Sequence, residues 1–252
     1  MLKLEKKFEK KGYLIKEKFY SKKELKIISD WISSLANKSQ EQAQIRKYFE
    51  KSKLIDRSIL SRIEYFFDEN NYLFKNLLIN TKLKKLLKVL FKDNPVLFKE
   101  KVNFKPPGSR CDKLHQDQAA GWNKYASHFI TVMIALDKNT KKNGAIHISN
   151  EKKIKRKLIS KEWEPIQHED LEQKPKKGFV ILELNPGDIV FFDSYVPHGS
   201  PINRSKNLRR NIFLTFNRLF DGDNRIRYFK DKLKTYPPNI PEKPRNEDTF
   251  KV

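Results

Sequence analysis

The feature that most constrains the fold of this chain is a change in the period of its apolar residues near Pro95. Before this point apolar residues recur at helical spacing, and after it short apolar runs alternate with turns that contain Gly, Pro or Asn. The runs that predict strands include 96–104, 129–136, 145–148, 179–184, 189–192 and 211–216. Helices followed by about eight short strands predict a mainly β fold with helical buttresses, either a β-barrel or a double-sheet jelly roll.

The helical part of this prediction rests on three segments. A capping-box spacing at Ser21 is followed by apolar residues three and four positions apart, which predicts an amphipathic helix. Further helices are predicted from Ile55 to Phe67 and from Thr81 onwards. We therefore expect a helical layer that packs against one side of the strands.

The length of 252 residues is enough to bury one substantial core, so we expect a single domain. Within it we predict a mostly helical scaffold over 1–94, a jelly-roll core over 95–220 and a C-terminal segment over 221–252 that wraps over the body. The polar stretch 150–178 has few apolar residues, which is typical of a loop over a site.

Cysteine content and the N-terminal sequence bear on location. The single cysteine, Cys111, excludes an internal disulfide and fits a reducing compartment. The segment from Met1 to Tyr20 lacks the apolar run of a signal peptide or a membrane span. We therefore expect a cytoplasmic protein without a membrane partner. Nothing in the sequence fixes the oligomeric state.

The net charge of +23, from 54 Lys and Arg against 31 Asp and Glu, raises the question of an anionic partner. The basic residues are mostly Lys and are dispersed over every segment, without zinc-finger spacing or an RNA-binding aromatic motif. A nucleic-acid partner is therefore not expected. The charge is better explained by attraction of a small anionic or zwitterionic substrate.

The strongest chemical signal is the pair His115 and Asp117. Residues two apart on a strand face the same side, so an imidazole and a carboxylate can converge on one point. Together they supply two of the three ligands of the facial triad of non-haem Fe(II) oxygenases. The third must come from one of four other histidines. These are His128, His147, His168 and His198.

Of these four, His198 is favoured by its surroundings. His128 and His147 lie in strand-like runs, where a histidine is usually a core residue, and His168 lies in the polar stretch. His198 follows the predicted strand 189–192 by a short connection and is followed by Gly-Ser and, eleven residues on, by an arginine.

This motif set resembles the phytanoyl-CoA dioxygenase family of Fe(II)- and 2-oxoglutarate-dependent oxygenases. Further stretches that carry the resemblance are Gly12–Leu14, Phe104–Gly108, Pro186–Phe192 and Arg209–Arg210. The resemblance implies a double-stranded β-helix, the jelly roll of cupin-like proteins. It also implies Fe(II), 2-oxoglutarate and molecular oxygen as cofactor and cosubstrates.

The resemblance further implies roles for individual residues. His115, Asp117 and His198 would hold the iron, and they leave positions for 2-oxoglutarate and oxygen. Arg209 would hold the distal carboxylate of 2-oxoglutarate through its planar guanidinium, with help from Ser200. Thr131 is a further candidate for cosubstrate contact, and Arg210 is expected on the opposite side of the strand.

More closely, the chain resembles a bacterial subgroup that hydroxylates 2-aminoethylphosphonate. Matching stretches include Leu60–Glu64, Leu97–Lys105, His115–Trp122, Asp193–His198 and Tyr236–Pro238. This implies hydroxylation of a small zwitterion at the carbon next to phosphorus. Candidate contacts for the anionic group are Lys101, Asn103, Lys105, Lys113 and Gln118, and candidates for the ammonium end are Trp122 and Tyr125.

Three alternatives remain open at this point. The oxygenase could act on another small amino acid or acyl metabolite, since one scaffold serves many substrates. The chain could bind metal without turnover, although such a protein has no use for Arg209 and Ser200. It could also be a basic nucleic-acid-binding protein whose triad has lost its role.

Overall fold

The structure is a computed structural model that describes residues 2–68, 70–151 and 153–245, with side chains from residue 4 onwards. Helices are α1 Leu2–Lys11, α2 Lys22–Asn37, α3 Gln40–Ala43, α4 Thr81–Phe91 and α5 Arg225–Thr235, with a π-helical segment at Leu73–Leu78 and short 3-10 turns at Asp117–Ala120, Trp122–Lys124, Lys141–Asn143 and Leu219–Asp221. Strands are β1 Tyr13–Lys16, β2 Arg46–Lys51, β3 Ser58–Glu64, β4 Pro95–Lys105, β5 Asp112–His115, β6 Ile130–Ala135, β7 His147–Ser149, β8 Phe179–Ile181, β9 Ile189–Asp193, β10 His198–Ser200 and β11 Arg209–Arg218.

The strands form two antiparallel sheets. The larger sheet has the order β1-β9-β6-β11-β4-β3-β2, and the smaller sheet has the order β5-β10-β7-β8. Strands distant in sequence are neighbours in both sheets, as in a jelly roll. This architecture confirms the predicted double-stranded β-helix with helical buttresses.

Alternation along the central strands separates two apolar layers. In β6, Val132 and Ile134 pack on the side of the helices, whereas Met133 and Ala135 pack on the side of the smaller sheet. The same two-residue period recurs in β9 and β11 because successive strand side chains point to opposite faces. The larger sheet is therefore the middle layer, with helices on one face and the smaller sheet on the other.

Two of the predicted helices are confirmed. The helix after Ser21 is α2, and Ser21 forms the capping box with Glu24 at its N-terminus. The helix predicted from Thr81 is α4, which begins after the N-cap residue Asn80. Both helices bury an apolar stripe against the larger sheet. Their apolar residues therefore recur at helical spacing, and this spacing predicted the helices from the sequence.

The helix predicted from Ile55 to Phe67 is wrong, because this segment contains strand β3. The strand pairs with β2 and β4 at one edge of the larger sheet. Its register shifts so that Tyr48 faces Arg62 while the next residue faces Leu60, which leaves one extra residue on β3. Such a bulge interrupts the two-residue alternation that identifies a strand in a sequence. The predicted helical scaffold over 1–94 thus also contributes strands to the sheet.

The C-terminal segment returns along the larger sheet. Tyr228 and Phe229 of α5 pack in an aromatic cluster with Phe98, and Tyr236 stacks on Tyr48 at 5.3 Å between ring centroids. The part of the predicted wrap beyond residue 245 lies outside the described residues.

The stretch 150–178 carries no helix or strand among its described residues, as the sequence predicted. No helix in the described ranges combines the length and apolar character needed to cross a membrane.

Candidate active site

The predicted metal ligands meet where strands β5 and β10 pair. His115 is the last residue of β5 and lies directly opposite His198, the first residue of β10. Asp117 lies beyond the strand, as the first residue of a 3-10 turn, so its prediction as a strand residue is wrong. Gln116 between them stays extended, and this is enough to keep His115 and Asp117 on one side.

The three side chains form a compact ligand set. One ligand atom from each of His115, Asp117 and His198 lies within 4.8 Å of the others, and all three residues are buried. The Oδ1 atom of Asp117 is 3.6 Å from Nε2 of His115 and 3.7 Å from Nε2 of His198. In the part of the chain that the structure describes, no other trio of such residues converges in this way.

Backbone carbonyls orient both imidazoles. Nδ1 of His115 lies 2.6 Å from the carbonyl of Lys113, and Nδ1 of His198 lies 2.9 Å from the carbonyl of Val196. If each Nδ1–H donates to its carbonyl, each Nε2 presents a lone pair toward Asp117. Burial lowers the pKa of His198 to about 4, which favours the neutral, metal-binding form of its ring. The donor set therefore fits a divalent transition metal such as Fe(II).

The carboxylate of Asp117 is also contacted at its second oxygen, Oδ2. Burial by itself would raise its pKa, but the rings of His198 and His115 and the nearby Lys101 hold it below its usual value. Thr131 donates a 3.3 Å hydrogen bond to Oδ2 of Asp117 and lies 3.0 Å from the hydroxyl of Thr215. Thr131 therefore contacts Asp117, a predicted metal ligand.

A buried arginine lies beside the ligand set. Arg209, on β11, is 3% exposed and donates to Asn139 at 3.1 Å and to the hydroxyl of Ser200 at 3.3 Å. Within the described chain no carboxylate lies in ion-pair range of Arg209, and its Nε has no acceptor. Burial lowers its pKa to about 10. A buried cation is normally neutralised, so this guanidinium suits an anionic ligand.

Arg210 points to the other side of β11, as predicted. Its guanidinium forms an ion pair with Asp137 at 2.8 Å and bonds the hydroxyl of Ser33 on α2. Because successive side chains of a strand point to opposite faces, Arg209 faces the cavity and Arg210 faces the helix layer.

A cavity of about 300 Å³ opens beside His115 and His198 and extends to Arg209. Of the predicted substrate contacts, it is lined by Lys101, Asn103, Lys105 and Lys113. Lys105 already bonds Asp112 at 3.1 Å and the carbonyl of Arg110 at 2.9 Å. The cavity is of the size and character that suit a small polar ligand.

Two predicted contacts lie elsewhere in the structure. Gln118 is buried, where it donates to the carbonyl of Ala126 and accepts from Ser194. Trp122 is 1% exposed in an aromatic cluster with Phe98. Neither lines the cavity, and their roles as substrate contacts stay predictions. Tyr125 lies in the same cluster and bonds Asp231 at 2.8 Å.

The remaining histidines are placed much as expected. His128 bonds the buried carboxylate of Asp193 at 2.9 Å, and His147 is buried within β7. His168 is exposed and lines the cavity. Cys111 also lines the cavity, but burial raises its pKa to about 12, so its thiol stays protonated.

Three residues of the polar loop, Trp163, Glu164 and Pro165, line the cavity. The stretch 150–178 was predicted as a loop over a site, but none of these three residues was singled out. The available signal was Trp163, a large aromatic residue in an otherwise polar stretch. Arg62 also lines the cavity and was missed because its segment was predicted as a helix.

Comparisons with known proteins agree with this geometry. The sequence profile of the family described as phytanoyl-CoA dioxygenase matches residues 8–211. A 2-aminoethylphosphonate dioxygenase from uncultured bacterium HF130_AEPn_1 is 35% identical over 211 residues, which cover 84% of this chain and 79% of the relative. A methylphosphonate hydroxylase from Gimesia maris is 28% identical over 238 residues, which cover 89% of this chain and 84% of that protein.

Solved structures show the same fold. EctD from S. alaskensis in its apo form aligns with a TM-score of 0.68 at 19% identity, over 88% of this chain and 78% of that one. EctD with 2-oxoglutarate and 5-hydroxyectoine aligns with a TM-score of 0.66 at 16% identity, over 100% and 86% of the two chains. Fold, ligand set and the profile match over residues 8–211 lead to one conclusion: this chain belongs to the phytanoyl-CoA dioxygenase family.

Proposed function

We propose that this protein is an Fe(II)- and 2-oxoglutarate-dependent dioxygenase that hydroxylates 2-aminoethylphosphonate at the carbon next to phosphorus. The observation that carries the proposal is a cluster of two histidines and one carboxylate beside a cavity that holds a buried arginine without a carboxylate partner among the described residues. The 35% identity to a 2-aminoethylphosphonate dioxygenase supports the choice of substrate.

The residues divide into three roles. His115, Asp117 and His198 would hold the iron, since each offers one ligand atom to a common point. Arg209, with Ser200 beside it, binds the distal carboxylate of 2-oxoglutarate. Thr131, predicted as a cosubstrate contact, is proposed to orient Asp117 through its hydrogen bond.

The protein contributes orientation and exclusion of water. When bound, iron, 2-oxoglutarate and oxygen supply the chemistry that inserts one oxygen atom into a C–H bond while 2-oxoglutarate becomes succinate and carbon dioxide. The carbonyls of Lys113 and Val196 orient the two imidazoles that would bind the metal. The buried guanidinium of Arg209 would anchor one end of the cosubstrate.

The proposed substrate contacts are those that face the cavity. Asn103, Lys105 and Lys113 line it, and Lys101 projects from the same face of β4 as Asn103 and Lys105. We also propose a cytoplasmic location, which the single, buried and unpaired thiol of Cys111 supports.

The direct test is succinate release by anaerobically Fe(II)-loaded protein that is then given 2-oxoglutarate and oxygen. We expect strong stimulation by 2-aminoethylphosphonate and none by an equal concentration of a phosphate buffer salt. Stimulation by methylphosphonate instead would identify methylphosphonate as the substrate. This compound is chosen because a relative that is 28% identical is a methylphosphonate hydroxylase. Release that no phosphonate stimulates would refute the substrate and keep the oxygenase.

The ligand assignment has its own test. Asp117→Ala is expected to abolish succinate formation because it removes one of three iron ligands. The matched control is Asp56→Ala, which removes a fully exposed carboxylate and should leave turnover unchanged. Retained turnover in the Asp117 variant would refute the ligand set.

A further inference from the structure

We propose that Glu164 and Trp163 of the 150–178 loop bind the ammonium end of the substrate, and that Lys101 on β4 binds its phosphonate end. This inference rests on the proposed function and adds the orientation of the zwitterion and the residues that select it. It assigns a specificity role to a loop that the metal and cosubstrate sites do not use.

The cavity wall carries three carboxylates. Glu50, Asp112 and Glu164 line the cavity besides the metal site. Glu50 is ion-paired to Arg110 at 3.2 Å, and Asp112 is ion-paired to Lys105 at 3.1 Å. The carboxylate of Glu164 has no ion pair and no side-chain hydrogen bond within the ranges that the structure describes. Glu164 is therefore the wall carboxylate that is available to a cationic ligand.

The neighbouring residue, Trp163, is held in place through its backbone and its ring. Its backbone is left-handed, with φ of 67°, which is uncommon for a residue with a side chain. Its N–H donates to the carbonyl of Ala119 at 2.7 Å. Its indole lies against Gly121, where an added Cβ would be 2.6 Å from Cζ2 of the ring. Strained backbone held by its surroundings is a feature of ligand-binding loops, and an indole face attracts an ammonium group.

Lys101 lines the cavity from strand β4. Its Nζ lies 5.0 Å from the ring centroid of Phe213 on β11, its neighbour in the sheet. Among the described residues no carboxylate is in ion-pair range of this Nζ. Burial, with the charges of Lys99 and Arg62 close by, lowers the pKa of Lys101 to about 7. An anionic ligand beside this Nζ would favour its charged form, which suits a phosphonate at this position.

These observations make the cavity complementary to the proposed ligands in charge. Arg209 and Lys101 supply positive charge for two anionic groups, the distal carboxylate of 2-oxoglutarate and the phosphonate. Glu164 supplies negative charge for one ammonium group. Glu164 is exposed, so the ammonium end keeps part of its hydration and its binding costs little desolvation.

The experiment compares 2-aminoethylphosphonate with ethylphosphonate, which has the same carbon–phosphorus skeleton without the amine. For wild type we expect the higher kcat/KM with 2-aminoethylphosphonate. Glu164→Gln should reduce this preference by about tenfold, through KM, because a hydrogen-bonded charge is lost and the shape is kept. Glu162→Gln, which alters an exposed glutamate that does not line the cavity, is the matched control and should keep the preference.

Two further variants complete the test. Glu164→Lys should reverse the selectivity toward 3-phosphonopropionate, which carries a carboxylate in place of the amine. Lys101→Met should weaken binding of both phosphonates to about the same extent, measured by calorimetry on anaerobic protein with iron and 2-oxoglutarate. Because selectivity and binding are both read out, a variant that folds poorly is distinguished from one that has lost recognition.

The outcomes separate the two proposals. If wild type turns over no phosphonate, the proposed function fails. If wild type prefers 2-aminoethylphosphonate but Glu164→Gln and Glu162→Gln behave alike, the function stands and the role of Glu164 is refuted. If Lys101→Met binds ethylphosphonate as tightly as wild type, the phosphonate position is refuted.

Discussion

The guanidinium of Arg209 is the group on which the proposed cosubstrate site depends, and Arg209→Lys tests it quantitatively. A guanidinium has five N–H groups, of which one on each Nη donates to Asn139 and Ser200. Enough donors remain for a bidentate contact to the distal carboxylate of 2-oxoglutarate. Lysine keeps the charge but not the planar pair of donors.

The expected magnitude follows from the loss of one hydrogen bond to a charged group. Such a bond contributes about 1.5–3 kcal/mol, so the Kd for 2-oxoglutarate should rise roughly 10- to 150-fold. The side chain is 3% exposed, so water replaces little of the lost bond. The affinity is measured by titrating 2-oxoglutarate into anaerobic Fe(II)-loaded protein and following the absorption of the metal chelate.

The matched control is Arg210→Lys, one residue along the same strand. Arg210 pairs with Asp137 at 2.8 Å on the other side of β11, so its replacement should leave the 2-oxoglutarate affinity unchanged. Equal affinity in the Arg209 variant and the control would refute the assignment of this arginine. Weaker binding in the Arg210 variant alone would show that the alternation has been misassigned.

Three other perturbations test separate parts of the structure. Glu64→Gln leaves three buried cations, at 2.8–3.5 Å from Glu64 Oε1, without their carboxylate and should destabilise the fold by about 3–5 kcal/mol in urea unfolding at pH 7. The pKa of Glu64 in the folded protein is held below its ordinary 4.5, so this stabilisation is present above pH 4.5 and is lost only as the pH falls through the lower folded pKa. A difference in unfolding free energy between wild type and variant that shrinks at a pH well above 4.5 would contradict this. Thr131→Val should weaken Fe(II) binding about tenfold in calorimetry by releasing Asp117, and unchanged affinity would mean that the 3.3 Å bond has no such role. Gly121→Ala should displace the indole of Trp163 and change its fluorescence, whereas Gly178→Ala, with a similar positive φ but no atom within 4 Å of the added Cβ, should not.

Several parts of the site were predictable because their geometry is local. His115 and Asp117 are two residues apart with an extended residue between them, so their convergence follows from backbone geometry alone. Arg209 and Arg210 are separated onto two faces by the same rule. The alternation of apolar residues in β6 likewise identified a strand between two apolar layers.

Other parts depended on contacts that the sequence does not display. Trp122 follows the predicted metal ligands closely in sequence, yet it packs in the aromatic cluster with Phe98 and Tyr228 because α5 returns to cover it. Lys105 faces the cavity as predicted, but Asp112 across the turn already holds its charge. The two-residue alternation along a strand predicts which face of the sheet a side chain occupies. The partner that it meets on that face comes from another part of the chain.

The sequence by itself determined the order of helices and strands in most places and the family, and it predicted the set of metal ligands. Those features rest on spacings within a few residues, where backbone geometry limits the outcomes. Only the tertiary structure decided that β3 is a strand, since pairing with β2 and β4 outweighs a local pattern interrupted by a bulge. It also placed Glu164 and Lys101 in the wall of one cavity, although they are distant in sequence. Such proximity depends on the long-range pairing of strands and on the path of a loop.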